Sequence, residues 1–316
     1  MPVKKAAAEK RRFVYGPVPS RRLGFSLGVD ILPYKTCTLD CVYCQLGSSG
    51  RTVARRRAYF SVPEILGQVR AALASGRKID YVTFSGSGEP TLNRNLGRLI
   101  RSIKRMSPVP VAVLTNGTLL TRPDVRKELL AADLVVPSLD AVTAPVFRKV
   151  NRPHASLGAA EIVDGLTCFR REFKGRLWLE IMLVKGVNDS PVHIAALKKA
   201  IAAIAPDRVQ LNTVVRPPAE RWAGALTAAG LGRIRRALGG PAEVVADFGA
   251  GRRSGGRGSL DKDIAAMVRR RPVTAEDISA SLGRPKSLVL EAVGRLLETG
   301  ALRPKRHGRK TFYEPA

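Results

Sequence analysis

Cysteine is scarce, with four in 316 residues. A chain this long with so few cannot rest on a disulfide framework. Acidic residues are also short, 26 Asp and Glu against 54 Lys and Arg. The resulting net charge of +28 attracts polyanions. Arginine and alanine are plentiful throughout, so charge alone does not specify nucleic acid. No apolar run approaches the roughly 18 residues of a membrane span. The start, MPVKKAAAEKRRF, lacks the apolar stretch of a secretory signal and reads as a basic tail over 1–12. Glu9 and the lack of serine set it apart from a mitochondrial transit peptide. The cytoplasm is the expected compartment.

Apolar residues make up 45% of the chain, enough for a core, and the length suggests about two domains. Six apolar, β-branched runs recur in the first two-thirds: SLGVDIL (26–32), YVTF (81–84), VPVAVLT (109–115), DLVVPSL (133–139), LWLEIMLV (177–184) and RVQLNTVV (208–215). Helical patterns separate them, with starts at Ser61-Val-Pro-Glu64, Thr121-Arg-Pro-Asp124 and Ser190-Pro191. This alternation predicts parallel β-α units, and near-continuous apolar strands predict a sheet covered by helices.

Polar residues gather after each strand. SGSGEPTLN follows the second run, Asn116-Gly117 the third, and Ser138-Leu-Asp140 closes the fourth. Glu180, Lys185, Asn188 and Asp189 follow suit on the fifth, and Gln210 and Asn212 on the sixth. In parallel α/β barrels that end carries the chemistry. The expected fold is α/β, a partial (β/α)6 TIM-like barrel over 13–222, plus a small C-terminal winged-helix domain over 260–316. Residues 223–259 read as a connecting segment, ending in the linker GAGRRSGGRGS.

The C-terminal expectation rests on three helical patterns and a basic hairpin. The second helix is VTAEDISASLG, with Thr274 as cap and Gly283 as stop; the third places Leu288, Val289, Ala292, Leu296 and Leu297 on one face. Arg303, Lys305, Arg306, Arg309 and Lys310 flank a turn at His307-Gly308 and point to nucleic-acid contact.

CTLDCVYC holds Cys37, Cys41 and Cys44, spaced C-x3-C-x2-C. Three thiolates can hold three irons of a 4Fe-4S cluster and leave the fourth open, whereas structural zinc takes four ligands. Zinc with His154 or His193 as fourth ligand is the alternative. Cys168 stands apart and reads as a small buried hydrophobe.

The cysteine loop, the glycine-rich Ser85-Gly86-Ser87-Gly88-Glu89-Pro90 after the second strand, and Ser138-Leu139-Asp140 together resemble the radical S-adenosylmethionine superfamily. Within it the chain is similar to Fe-S oxidoreductases related to the wyosine-forming tRNA enzymes. That similarity is carried by residues 15–47, FSGSGEPTLN, SLDA, NRPH (151–154), LVKGVND and VQLNTVVRPPAE. The resemblance implies a 4Fe-4S cluster, S-adenosyl-L-methionine bound at the open iron, and a flavodoxin or ferredoxin as electron donor. Reductive cleavage of the sulfonium would yield a deoxyadenosyl radical that takes hydrogen from a substrate. It implies metal ligation by Cys37, Cys41 and Cys44. It also implies cofactor contacts from Tyr43, Gly86, Ser87, Gly88, Glu89, Asn116, Ser138 and Asp140, with the Glu89 carboxylate near the methionine ammonium. Asp140 is alternatively a helix cap. Arg21, Arg22, Arg152 and Arg216 form a candidate basic clamp at the barrel mouth. No cysteine precedes Cys37, so the second cluster of the wyosine enzymes has no ligands here.

Two functions stand against each other. One is a radical enzyme acting on an unidentified substrate, RNA among the candidates, with the basic surface and winged helix as contacts for RNA or DNA. The other is a cluster-containing regulator that binds nucleic acid through the winged helix.

Overall fold

The computed structural model describes residues 11–20, 22–245, 260–269, 271–308 and 310–316. The linker over 249–259, most of the basic tail, Arg21 and Arg309 lie outside the described residues.

All six apolar runs form strands: β2 (Gly24–Val29), β3 (Tyr81–Phe84), β4 (Val111–Thr115), β5 (Leu134–Pro137), β6 (Arg176–Leu183) and β7 (Arg208–Thr213). Two more extend the sheet, β1 (Val14–Ser20) before them and β8 (Ala242–Val244) after them. The eight strands lie in sequence order. β1 pairs antiparallel with β2, and every later pair is parallel. Helices α1 (Val62–Leu73), α2 (Leu96–Met106), α3 (Pro123–Leu129), α4 (Ala144–Asn151), α5 (Ala159–Glu172), α6 (Pro191–Ile204) and α7 (Ala228–Leu238) make the crossovers.

Strand alternation divides the side chains into two sets. Val82, Phe84, Val113, Val135, Leu179, Ile181 and Leu211 pack outward into the large core shared with the helices. Tyr81, Ala112, Leu134, Val136 and Trp178 face the other way and join Leu23 in an apolar plug at the barrel's base. Each fully buried large side chain, Phe84 among them, contributes about 1.5–3 kcal/mol. Above the plug the interior turns polar.

The start of α6 is capped as its sequence predicts, with Ser190 Oγ accepting from His193 N at 3.3 Å. Ser61 makes no side-chain cap bond, and α3 is preceded by Arg122 rather than by Thr121. Residues 228–244 correct the expected boundary at 222. They form α7 and β8, and β8 pairs with β7, so the barrel sheet runs on through the stretch read as a connector.

The C-terminal residues form α8 (Leu260–Val268), α9 (Ala275–Leu282), α10 (Lys286–Glu298) and an antiparallel hairpin, β9 (Leu302–His307) with β10 (Lys310–Pro315). They enclose a second core containing Ile264, Val273, Ile278, Val289, Ala292, Val293 and Leu302. Thr274 and Asp277 form a reciprocal capping box on α9, and Gly283 ends it in the left-handed region. Leu288 departs from its expected face: it is 43% exposed, and Val293 takes the core position. A 3.6-residue period from Val289 runs through 292, 293, 296 and 297 and omits 288. This unit sits on the barrel, with Arg216 Nη2 3.6 Å from Asp277 Oδ2 and His307 Nε2 3.4 Å from the Val214 carbonyl.

Candidate active site

The loop after β2 crosses the open end of the barrel and carries the three cysteines. Neighbouring backbone holds it in place: Asp40 N and Val42 N donate to the carbonyls of Asn151 and Val150, both at 3.0 Å, and Val53 N donates to Cys37 O at 2.8 Å. Two of the sulfurs have an asparagine amide as donor. Asn116 Nδ2 reaches Cys37 Sγ at 3.5 Å and Asn151 Nδ2 reaches Cys41 Sγ at 3.4 Å, while buried Lys35 lines the same cavity as Cys44. Burial, reinforced by Glu89, pushes the Cys37 thiol up to about 12. Burial and the Asp140 carboxylate likewise hold Cys41 well above the usual thiol range. Iron has to displace these protons for the thiolates to form.

This donor set fits a cluster better than a single ion. Among the described residues no three His, Cys, Asp or Glu side chains close around one metal ion. Cluster thiolates each take a different iron, so they stand apart. The zinc alternative fails on its fourth ligand. His154 Nδ1 is engaged with Ser156 Oγ at 2.9 Å, and buried His193 faces the Asp140 carbonyl at 3.3 Å. Cys168, half-buried on α5, lies outside the cavity lining.

The glycine-rich loop after β3 is pressed against the cysteine loop. Thr36 bridges Gly88, and Glu89 N donates to Thr36 O at 3.0 Å. A Cβ on Gly88 would fall 1.9 Å from the Thr36 carbonyl oxygen, so only glycine permits the approach. Gly86 has φ +145° and lies against Asp30, whose carboxylate accepts from Ser87 Oγ at 2.5 Å.

Glu89 does not present a spare carboxylate. It is buried, and its oxygens accept from Thr91 N (3.0 Å), Thr91 Oγ1 (2.6 Å), Thr115 Oγ1 (2.6 Å) and Asn116 N (2.6 Å). Burial raises its pKa, although these donors pull it back. Glu89 therefore clasps β3 to β4 and sets Asn116 beside Cys37. Asn116 Nδ2 also donates to Thr38 Oγ1 at 2.7 Å.

Asp140 is a buried hub rather than a helix cap; Thr143 precedes α4 instead. Its carboxylate accepts from the Tyr43 hydroxyl, from Asn151 Nδ2 at 2.7 Å and from Met182 N at 2.8 Å. Burial raises it to about 6 against these donors. The Tyr43 phenol is likewise pushed well up by burial and by Asp140. Ser138 continues β5, with its N–H donating to Thr115 O at 2.9 Å.

The open end holds a cavity of about 1530 Å³. Cys37, Cys41, Cys44, Tyr43, Gly86 and Gly88 line it. Ser87, Glu89, Asn116, Ser138 and Asp140 are not among the residues that line it. The volume exceeds the ~300–1,000 Å³ of an ordinary small-molecule site, which leaves room for a second molecule beside a cofactor. Thr274 to Asp277, Lys286, Leu290 and Tyr313 line its far side, so the C-terminal unit roofs it.

Among the described residues, Arg22, Arg152 and Arg216 do not form one clamp at the mouth. Arg22 lies within the barrel on Glu180 (2.8 Å) and Gln210 (3.3 Å). Arg152 pairs with Glu220 at 2.5 Å, and Arg216 turns to Asp277. Asn212 Nδ2 joins Glu180 at 3.2 Å, so both face the interior as their strand positions predict. Sequence reading missed Lys35, Asp40 and Asn151. Asn151 was within sight, as the first residue of NRPH.

A parallel α/β barrel with three cysteine thiols and a glycine-rich loop on one cavity wall defines a class: a cluster-dependent enzyme built at strand ends. The radical SAM superfamily model matches residues 31–197, and this chain belongs to that superfamily. Its cofactors are those of the family, S-adenosylmethionine and a 4Fe-4S cluster. The chain is 39% identical over 297 residues to a protein named GTPase Obg from Brachyspira hyodysenteriae, covering 93% of this chain and 44% of that protein. It is 38% identical over 210 residues to a UPF0026 protein of Methanocaldococcus jannaschii, covering 66% and 65% of the two chains. It thus spans less than two thirds of each. A dual-specificity RNA methyltransferase RlmN from Oleidesulfovibrio alaskensis is 26% identical over 198 residues, 58% of this chain and 52% of that one. The fold matches a radical SAM methyltransferase from Sphaerobacter thermophilus with TM-score 0.54 at 20% identity, covering 71% and 67%.

Proposed function

We propose that this chain cleaves S-adenosylmethionine reductively and turns the resulting radical on a nucleic-acid substrate, RNA in the first instance. The observation that carries the reading is one cavity wall on which three thiols, two of them with an asparagine amide as donor, adjoin the backbone of Gly86 and Gly88. The bound cluster supplies the single electron for that cleavage, taken from a flavodoxin- or ferredoxin-class donor. Cys37, Cys41 and Cys44 hold it, the glycine loop offers unhindered backbone to the methionine end, and Asn116 and Asn151 fix the sulfurs. Reduced thiols and a low-potential donor suit the cytoplasm.

Two observations support RNA: the relative named as an RNA methyltransferase, and the net charge of +28. The three helices and hairpin at the C-terminus suit a winged helix that presents substrate to the cavity. The duplex-binding regulator is less well supported. Lys286 and Leu290, at the start of α10, line the cavity instead of standing clear, and Arg303 and Lys305 share Glu314 at 3.0 and 3.2 Å.

The test is anaerobic reconstitution followed by dithionite. Formation of 5′-deoxyadenosine, lost in Cys37→Ala, Cys41→Ala and Cys44→Ala but kept in Cys168→Ala, is the expected result. A loaded protein that makes none overturns the reading. Mass spectrometry of RNA nucleosides from a deletion strain tests the substrate class, and unchanged RNA removes it.

A further inference from the structure

Lys35 is an unusual residue to find under a metal-binding loop. It is 9% exposed and adopts φ +55°, a left-handed conformation that L-residues other than glycine rarely take. Such strain persists only where the surroundings enforce it. Here they do. Nζ lies 3.2 Å from Asp40 Oδ1, with both side chains only 6% exposed, and Lys35 lines the same cavity wall as Cys37, Cys41 and Cys44. Asp40 is itself fixed by Ser48 Oγ (2.6 Å), Ser49 N (3.1 Å) and Gly50 N (3.2 Å). The ammonium is therefore held by a fixed carboxylate on the wall that carries the three thiols. Its field also reaches Cys37.

An iron–sulfur cluster gains one negative charge on reduction, and its potential follows net charge and hydrogen bonds to sulfur. A fixed cation beside Cys44 favours the reduced form, and a fixed anion disfavours it. Of this pair the lysine, not the aspartate, lines the cavity with the three cysteines. We infer that Lys35 is a positioning residue that raises the reduction potential of the cluster, and that Asp40 sets the strength of that effect by partly neutralising it. The inference rests on the cluster reading above. It assigns to this pair a role distinct from ligation: easing entry of the electron from the external one-electron donor.

The sign of the shift separates this from a structural role. Potentiometric titration of the reconstituted protein, read by the electron paramagnetic resonance of the reduced cluster, measures it without any turnover. Lys35→Met is expected to lower the reduced-to-oxidised ratio at fixed poise about tenfold, equivalent to 59 mV for one electron. Asp40→Asn leaves the ammonium uncompensated and is expected to shift the ratio the other way. Lys35→Arg keeps the charge and stays near wild type. Should Lys35→Met not retain iron, Lys35→Gln, which keeps an N–H donor without charge, replaces it with the same expected direction. Shifts of the same sign in the Lys35 and Asp40 variants, or none in either, overturn the inference. Wild-type protein that takes up no iron overturns instead the cluster reading beneath it.

Discussion

The Asn151 amide donates to Cys41 Sγ at 3.4 Å and to the buried Asp140 carboxylate at 2.7 Å. One side chain at the end of α4 thereby fixes a candidate ligand and the hub behind it. Its Oδ1 is buried and has no hydrogen-bond partner. Asn151→Ala removes the donor to sulfur and leaves Asp140 one partner short. The expected loss is about 1–3 kcal/mol of stability, read by urea unfolding, together with faster iron loss on desalting. Retained iron at wild-type stability would show that the contact is idle.

Gly88→Ala should fail where Gly67→Ala succeeds. The first places a methyl 1.9 Å from the Thr36 carbonyl, backbone against backbone, whereas the second meets nothing within 4 Å on α1. Gly67→Ala should stabilise by up to about 1 kcal/mol through helix propensity. Gly88→Ala should lower the melting temperature and the iron content together. Both are read on the same reconstituted preparations.

Asp140 gives the apoprotein a pH slope. Its pKa rises from 3.8 to about 6 because burial penalises the carboxylate. The native state then keeps a proton that the unfolded chain has released, so stability falls as pH rises from about 4 to 6. The full effect corresponds to about 3 kcal/mol. Asp140→Asn should flatten this slope relative to wild type in urea titrations across that range. An equal slope in both proteins would assign it elsewhere.

The Arg216–Asp277 pair joins barrel and roof, with side chains 6% and 20% exposed. A double-mutant cycle on Arg216→Ala and Asp277→Asn should return a coupling of about 0.5–3 kcal/mol. Asparagine retains an oxygen for the Thr274 N–H in the α9 capping box. Hydrogen exchange should rise in α9 for Arg216→Ala, and unchanged exchange there would mean that the roof is held by its other contacts.

How much of this was legible follows from the range of each interaction. The six strands announced themselves because β-branched runs are local. β1 did not, since Gly16, Pro17 and Pro19 break the pattern; as an edge strand it needs only the β2 partner and tolerates proline. β8 has three residues and one partner, too little for a periodic signal. The cysteines were legible as candidate ligands because their spacing is a local feature. Asn151 lies 110 residues from Cys41, and no local pattern joins them. Glu89 was noticed for its charge, but its role is set by Thr115 and Asn116, which only the parallel pairing of β3 and β4 brings near.

The bridge between Thr36 and Gly88 makes two distant loops one mechanical part. Anyone grafting this cysteine octapeptide onto another barrel would have to carry the glycine loop with it. The unit of inheritance is the pair, and a chimera that splits it should lose both halves of the site at once.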